Sequence, residues 1–270
     1  MFFEENKEGL VYLRSDLIPL KHVFTTRYGG VSTGHLRSLN LIDKHGDSPD
    51  NIRENFGRVA ALLGAGVDDC AVTKQVHGNT VRIVTEDDRH VCLARVPYEA
   101  DGLVTATPGL PIFCFTADCV PILLCDAGAG VIGAVHCGWR SSVADILKNA
   151  VTAMEALGAK PEHICAAIGP AIGKCHFETD RDVPEAVEAY LGAAEAAPYI
   201  TRREDGKYLV DLRGANACRL IQLSLLPEHI DVSDECTWCL HEKYWSHRYT
   251  KGLRGGQAAA IVLPQEGERL

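Results

Sequence analysis

The sequence predicts one α/β domain of mixed α+β type over residues 1–270, with sheets covered by helices. Short apolar runs recur along the chain, and several are continuous rather than alternating, which is typical of strands buried on both faces. Amphipathic segments with helical spacing separate some of these runs without strict alternation. No low-complexity linker divides the chain, and 270 residues are enough to bury one sizeable core.

Eight segments have strand character, and they lie at 23–26, 72–76, 81–84, 102–105, 112–115, 122–125, 131–135 and 164–168. Two connections, at 79–80 and 126–130, have the length and composition of hairpin turns. Helical spacing predicts helices at 51–63, 143–157 and 215–226. For the second helix, Ser141 and Ser142 provide an N-cap and Gly158 provides a C-cap.

Composition and charge exclude several classes of function. The formal net charge is -9 and no basic stripe is present, so we expect no nucleic-acid partner. The N-terminus lacks a signal segment, and no apolar run approaches the roughly 18 residues of a membrane span. We therefore expect a cytoplasmic protein, as a monomer or a homodimer. The eleven cysteines are an odd number, and most lie in apolar segments, where free thiols act as small hydrophobic groups.

Three separated residues form a candidate metal site. His77, Cys119 and His136 each follow an apolar strand and precede a turn, where loops on a rigid scaffold gather functional side chains. Zn²⁺ with three protein ligands keeps its fourth position for water or substrate and lowers the pKa of that water to about 7. By spacing alone, each histidine also suits a structural role and Cys119 also suits the core.

The neighbours of these residues favour chemistry. Asp118 is costly as an unpaired buried carboxylate, so it suits either a hydrogen bond to a ligating imidazole or a turn. Gly138 permits a tight turn before the predicted helix, and Arg140 beside it suits an anion site or an exposed ion pair. Arg27 leads into a glycine turn and can present a planar fork to phosphate, or remain a solvated side chain.

One further motif receives no assignment. The pair Cys236 and Cys239 has the spacing of redox and metal pairs, but the sequence has no second pair of this kind and no histidine pair at finger spacing.

The chain resembles the YfiH family, also known as the multicopper polyphenol oxidase or laccase-like family, of single-domain purine nucleoside phosphorylases. The resemblance extends over nearly the whole chain and rests on TTRYGGVS at 25–32, LNL at 39–41, QVHG at 75–78, ADGLVT at 100–105, TADCVP at 116–121, HCGWR at 136–140, IGPAI at 168–172 and DL at 211–212. It implies a layered α/β/β/α sandwich and a zinc centre with His77, Cys119 and His136 as ligands.

The resemblance also implies the reaction and its residues. The expected activity is phosphorolysis of adenosine, inosine and S-methyl-5'-thioadenosine, with adenosine deamination beside it; purine nucleoside and phosphate are the expected partners. We expect catalytic roles for Cys119, Asp118 and Arg27, with Arg27 holding phosphate. Expected substrate-binding residues are Arg27, Gln75, Arg140 and Arg248. Zn²⁺ is the expected metal, with copper as the alternative. Copper is less suitable because oxidase chemistry needs several copper centres rich in histidine, and one cluster of two histidines and a cysteine does not supply them.

Four departures from the family pattern bear on these expectations. Cys137 and Ser141 replace the usual alanine and glycine, and Cys137 competes for metal or packs in the core. The segment 244–248 differs from the aromatic–Ser–Tyr–Arg–Arg pattern at His247, as does Tyr249 after it.

Two alternative functions remain at this point. The first is a cysteine or zinc hydrolase that edits peptidoglycan precursors by amide hydrolysis at UDP-MurNAc-amino acid, with Cys119 as nucleophile, His136 as base and Asp118 as orienting group. The second is a non-enzymatic zinc module, which would need a fourth protein ligand that only the adjacent Cys137 offers.

Overall fold

The computed structural model describes residues 1–265, which form fourteen strands and six helices. The strands are β1 (Phe2–Lys7), β2 (Leu10–Ser15), β3 (His22–Thr25), β4 (Val81–Ile83), β5 (Gly102–Thr105), β6 (Ile112–Thr116), β7 (Val120–Asp126), β8 (Val131–Cys137), β9 (Cys165–Ile168), β10 (Glu178–Thr179), β11 (Ile200–Arg202), β12 (Tyr208–Val210), β13 (Ile230–Val232) and β14 (Gln257–Ile261). The helices are α1 (Pro49–Leu62), α2 (Trp139–Val143), α3 (Ile146–Ala156), α4 (Asp182–Leu191), α5 (Ala193–Ala196) and α6 (Leu212–Gln222).

Two large sheets organise the described chain. The first is antiparallel with the order β1-β2-β3-β14-β6. The second is mixed with the order β13-β9-β7-β8-β5-β4, in which the outer pairs β13–β9 and β4–β5 are parallel. A small third sheet has the order β10-β12-β11.

The two large sheets pack face to face through one apolar layer. Leu123 of β7 and Ala134 of β8 contribute from the mixed sheet, and Cys114 and Ala259 contribute from the antiparallel sheet. Successive strand residues point to opposite faces, so Ile122 and its even-numbered neighbours point to the other side of the mixed sheet. This is why the central strands are continuous apolar runs: every residue of β7 and β8 is buried.

Helices cover the outer face of each sheet. α3, α4 and α6 pack against the mixed sheet through residues such as Leu147, Val187 and Leu220. α1 packs against the antiparallel sheet with Phe56 and Val59. The predicted α/β/β/α sandwich is therefore confirmed.

Two local predictions for the strands are wrong. Residues 72–76 make only an isolated bridge, Lys74 with Glu99, instead of a strand, because the loop bends around a buried carboxylate described below. As a consequence, 79–80 is no hairpin turn, and β4 pairs in parallel with β5. The predicted hairpin at 126–130 is confirmed by the antiparallel register of β7 and β8.

Two helix boundaries also differ from the prediction. The segment 143–157 divides into α2 and α3 because Asp145 adopts a left-handed conformation, with φ of 65°. Ser141 and Ser142 lie inside α2 and are buried, and Gly138 is the N-cap instead. The helix predicted at 215–226 is α6, which begins earlier and ends earlier, at Leu212–Gln222. It ends there because Ser224 also has a left-handed backbone conformation.

None of the helices in residues 1–265 is long and apolar enough to cross a bilayer.

Candidate metal centre

Three sequence-distant donors meet at one end of the mixed sheet. Cys119 directly precedes β7, and His136 lies near the end of the adjacent β8, opposite Pro121 in the register. His77 arrives from the loop before β4. The ligand atoms of the three residues all lie within 4.8 Å of one another, and Nε2 of His77 lies 3.9 Å from Sγ of Cys119.

A buried carboxylate that the sequence analysis gave no role holds two of these residues. Asp101 is fully buried and accepts a hydrogen bond from Nδ1 of His136 at 2.8 Å. It also accepts the backbone N–H groups of Val76, His77 and Gly78 at 3.1, 2.9 and 2.8 Å. Although burial raises the pKa of Asp101, the bonds from His136 and the loop amides bring it below its usual value.

These contacts fix the tautomer of His136. Because Asp101 accepts from Nδ1, the Nε2 atom of His136 is left to face Cys119 and His77. The position of Asp101, a carboxylate directly before an apolar strand, was the available sequence signal.

The thiol and the imidazole stabilise each other's charged forms. Burial raises the pKa of Cys119, but His136 and His77 more than offset it and lower the value to about 6. Burial lowers the pKa of His136, and the Cys119 thiolate and Asp101 raise it to about 9. The thiolate is the form of cysteine that binds metal or attacks a substrate.

The backbone at the site is strained in two places. His77 and Asp118 have positive φ angles of 61° and 82°, in the region that favours glycine. Such angles in residues other than glycine persist where surrounding contacts enforce them, and they cluster at functional sites.

Position 138 needs glycine because no room is left for a side chain there, and not because a turn requires the conformational freedom of glycine. Its φ is -66°, which any residue can adopt. A Cβ at this position would lie 2.9 Å from Cδ2 of His77 and 3.4 Å from Sγ of Cys119. The predicted turn role is therefore corrected: the absent side chain leaves room for the cluster.

The cluster opens into a cleft of about 460 Å³, a volume typical of small-molecule sites. Apolar side chains on its wall include Ile42, Val96 and Phe115. Its remaining lining residues are Asp43, Lys44, Thr73, Lys74, Gln75, His77, Arg95, Thr116, Ala117, Cys119, His136 and Arg254.

Arg254 is a cleft residue that the sequence analysis missed. Its Nη1 donates to the carbonyl of Gly255 at 3.0 Å, while its buried Nε has no hydrogen-bond partner. Burial lowers the pKa of Arg254, and the charges of Cys119 and Asp118 oppose that change. The sequence signal was weak, an arginine before two glycines.

Arg27 is not among the residues that line the cleft, so the structure does not support its predicted phosphate role. Its Nε and Nη2 donate to the carbonyl of Arg37, and its Nη1 donates to the carbonyl of His241. The guanidinium also lies over the ring of Trp245, 4.0 Å from the centroid. These contacts give Arg27 a structural role.

Two other predicted substrate arginines also lie outside the cleft lining. Arg140 is exposed and lies over the ring of Trp139. Arg248 donates through Nη1 to the carbonyl of Glu178 at 2.9 Å. Gln75 does line the cleft, but its Nε2 donates to the carbonyl of Phe115 and its Oε1 accepts the Phe115 amide, both at 2.7 Å.

Asp118 does not orient an imidazole. Its carboxylate accepts Oγ1 of Thr237 and the backbone N–H of Arg248, both at 2.6 Å. The predicted orienting role belongs to Asp101, and Asp118 connects the Cys119 loop to the C-terminal part of the chain.

The donor set fits a metal ion. One sulfur and two imidazole nitrogens converge, the thiol has a lowered pKa, and a carboxylate holds one imidazole from behind. This carboxylate–histidine pair is the usual support of a metal-binding histidine. Three protein ligands beside an open cleft form an open site, in contrast to a closed structural one.

The described fold has counterparts among known proteins. A family model for the multi-copper polyphenol oxidoreductase laccases matches residues 21–264. The chain belongs to this laccase-like family. The predicted resemblance is confirmed.

Curated relatives in the laccase-like family carry the name purine nucleoside phosphorylase. One from Deinococcus radiodurans is 41% identical over 263 residues and covers 96% of each chain. Another, from Corynebacterium glutamicum, is 35% identical and covers 92% of this chain and 96% of its own.

Solved structures share the fold of the laccase-like family. YlmD from Geobacillus stearothermophilus superposes with a TM-score of 0.91 at 30% identity, covering 97% of this chain and 99% of its own. The hypothetical protein YfiH from Bacillus licheniformis gives a TM-score of 0.89 at 27% identity, covering 96% and 98%.

Proposed function

We propose that this chain is a zinc-dependent purine nucleoside phosphorylase that acts on adenosine, inosine and S-methyl-5'-thioadenosine and also deaminates adenosine. The observation that carries the proposal is the open His77/Cys119/His136 cluster beside a cleft of about 460 Å³ that also presents cationic side chains. The names of the curated relatives support the same reaction.

The charge of the cleft suits phosphate. In a chain with a net charge of -9, Lys44, Arg95 and Arg254 bring positive charge to the lining of the cleft, where Asp43 opposes part of it. A local field of this kind attracts an anionic substrate despite the overall charge. Lys74 contributes less, because its ammonium pairs with Glu99 at 2.6 Å.

Arg254 is the best candidate for holding phosphate. Its side chain lines the cleft beside Cys119, and a guanidinium can present several N–H donors to phosphate oxygens. Arg27 has no comparable capacity, because Arg37 and His241 already accept from Nε, Nη1 and Nη2.

The other cleft residues suit a nucleoside. Val96 and Phe115 offer an apolar surface to a purine ring. Asp101 holds the proton on Nδ1 of His136, so that Nε2 remains a ligand. His77, Cys119 and His136 would hold zinc, whose Lewis acidity would supply an activated water for deamination at the purine carbon that bears the amino group.

A nucleoside panel tests the proposal. Metal-quantified protein is incubated with adenosine, inosine or S-methyl-5'-thioadenosine, with and without phosphate. Phosphorolysis transfers the ribosyl group from the base nitrogen to phosphate, giving free base and ribose 1-phosphate, or its methylthio derivative. Deamination of adenosine by water gives inosine and ammonia without phosphate. The absence of ribose phosphate product from every nucleoside would refute the phosphorylase proposal.

A cysteine hydrolase that edits peptidoglycan precursors is the second candidate, and one contact favours it. Asp101, His136 and Cys119 form a chain in the order carboxylate, imidazole and thiol, with the 2.8 Å bond joining the first two. This is the order of groups in a nucleophilic triad. Here Asp101 replaces Asp118 as the orienting group.

His77 distinguishes the two candidates. A triad does not need His77, whereas an open metal site needs it as the third ligand. His77→Ala should abolish both bound metal and phosphorolysis if the metal acts. Retained amide hydrolysis of UDP-MurNAc-amino acid by metal-free His77→Ala, blocked by alkylation of Cys119, would support the hydrolase.

A further inference from the structure

A second cluster of metal-binding side chains lies outside the open site. Two loops run side by side after β9 and β13, where Thr237 donates its N–H to the carbonyl of Ala171 at 3.0 Å. Cys175 and His176 lie on the first loop, and Cys236 and Cys239 lie on the second. The pair Cys236 and Cys239, unassigned from sequence, thus finds its partners about sixty residues earlier in the chain.

The distances among the four side chains suit tetrahedral coordination. The sulfurs of Cys175 and Cys239 lie 3.7 Å apart, and Nδ1 of His176 lies 3.2 and 3.3 Å from them. All four ligand atoms lie within 4.8 Å of one another. Zn–S and Zn–N bonds of about 2.3 and 2.0 Å place tetrahedral ligand atoms roughly 3.5–3.8 Å apart.

The surroundings of Cys236 suit a negatively charged sulfur. Cys236 is buried, and its Sγ accepts the backbone N–H of Gly173 at 3.1 Å. The ring of Trp238 stacks on His176 with 3.6 Å between centroids, which fixes the imidazole plane.

A disulfide explains this arrangement less completely. A disulfide would use two of the three thiols and would not explain why the third thiol and the imidazole of His176 lie beside them. The sulfurs of Cys175 and Cys239 are also well beyond the roughly 2.05 Å of an S–S bond.

We propose that Cys175, His176, Cys236 and Cys239 bind a second Zn²⁺ in a closed structural site. Three thiolates and one imidazole complete the tetrahedral set, so that no position remains for water or substrate. The first cluster has three ligands and opens to the cleft, so the two sites differ in purpose. This proposal is independent of which reaction the first site performs.

The structural role follows from the residues between the ligands. Thr237, inside the Cys236–Cys239 pair, donates to the carboxylate of Asp118 at 2.6 Å. Asp118 immediately precedes Cys119 and also accepts the N–H of Arg248. A metal held by both loops therefore fixes the C-terminal loop against the segment that carries the thiol of the open site.

Metal counting tests the proposal without reference to activity. Wild-type protein, purified without added chelator, should contain two zinc ions per chain by elemental analysis. Cys239→Ser should lose one of them, and Cys119→Ser should lose the other. Cys92→Ser, at a half-buried cysteine outside both clusters, is the matched control and should retain both. Wild-type zinc content in folded Cys239→Ser would overturn the proposal.

Spectroscopy keeps the test decisive if Cys239→Ser does not fold. X-ray absorption at the zinc edge of wild-type protein should give about two sulfur ligands per zinc, the mean of one and three. A single zinc with one sulfur would overturn the proposal. So would a peptide map of the native protein that shows Cys175, Cys236 or Cys239 in a disulfide.

Discussion

Asp101 and His136 are joined by two hydrogen bonds, one between side chains and one between backbones. The carboxylate accepts from Nδ1 at 2.8 Å, and the carbonyl of Asp101 accepts the N–H of His136 at 2.7 Å. The same carboxylate accepts three amides of the loop that carries His77. One buried residue therefore positions both imidazoles of the cluster, which makes it the first residue to test.

Replacing Asp101 by asparagine should weaken metal binding. The amide has one acceptor oxygen where the carboxylate has two, and its NH₂ group would face the loop amides. Loss of a carboxylate behind a metal-binding histidine typically costs about 10- to 100-fold in affinity. Competition with a chromogenic chelator measures the loss of metal affinity at the His77/Cys119/His136 cluster.

Asp126→Asn is the matched control for that variant. Asp126 is also buried and accepts two backbone amides, those of Ala129 and Lys160, but at the other end of β7. The Asp126→Asn variant should lower the unfolding midpoint of the protein without changing its metal affinity. Equal affinities for Asp101→Asn and the wild type would show that Asp101 does not position the ligands.

Gly138→Ala should damage the cluster by steric contact alone. The added Cβ would lie 2.9 Å from Cδ2 of His77, which is closer than carbon atoms pack, so the imidazole must move. We expect loss of metal and of activity in a protein that remains folded by circular dichroism. Metal content of the purified variant provides the measurement.

Gly57→Ala is its control, because a Cβ there would lie 3.7 Å from Val67, an ordinary contact, in the interior of α1. It should be neutral or stabilising by up to about 1 kcal/mol. Full metal occupancy in Gly138→Ala would contradict the spatial argument.

The core of the fold could be predicted from the sequence, because burial on both faces leaves a direct mark on strands such as β7 and β8. Their apolar runs and the turn at 126–130 predicted the central hairpin. The segment 72–76 begins and ends with valine but forms no strand, since the amide of Val76 bonds to the Asp101 carboxylate instead of a neighbouring strand. Local composition does not reveal where a backbone finds its hydrogen-bond partners.

The candidate site divides in a similar way. His77, Cys119 and His136 could be proposed from their residue types, from their positions after predicted strands and from the family resemblance. The buried carboxylate of Asp101 and the cleft guanidinium of Arg254 are different, because both residues matter only through neighbours that the tertiary fold brings to them. Arg27 illustrates the converse, since a suggestive motif placed it at the phosphate while its carbonyl contacts place it elsewhere.

Arg254→Gln should raise the KM for phosphate. A charge-assisted hydrogen bond is worth roughly 1.5–3 kcal/mol, which corresponds to about a 10- to 100-fold rise in KM. Phosphorolysis of inosine at varied phosphate measures it, with little change expected in phosphate-independent deamination of adenosine. Arg27→Gln should leave the phosphate KM unchanged and lower thermal stability, because it removes the guanidinium that makes three hydrogen bonds to the carbonyls of Arg37 and His241. The reverse outcome, with Arg27→Gln affecting phosphate and Arg254→Gln not, would restore the sequence-based assignment.

His22 should make the stability of this protein depend on pH well away from the metal centre. It is buried, its Nε2 accepts the N–H of Ser15 at 2.9 Å and its Nδ1 donates to the carbonyl of Leu20 at 2.8 Å, so it must be neutral. Burial lowers its pKa from 6.5 to about 4, and Arg14 acts in the same direction against the opposing effect of the Leu20 carbonyl. Between these two values the unfolded chain binds a proton that the folded chain does not. The free energy of unfolding should therefore fall by about 3 kcal/mol as the pH falls from about 7 to about 4.

Urea unfolding across that range should show a shallower fall for His22→Gln than for the wild type, while the exposed His35→Gln keeps the wild-type slope. Parallel curves for His22→Gln and wild type would mean that the imidazole titrates normally in the folded state.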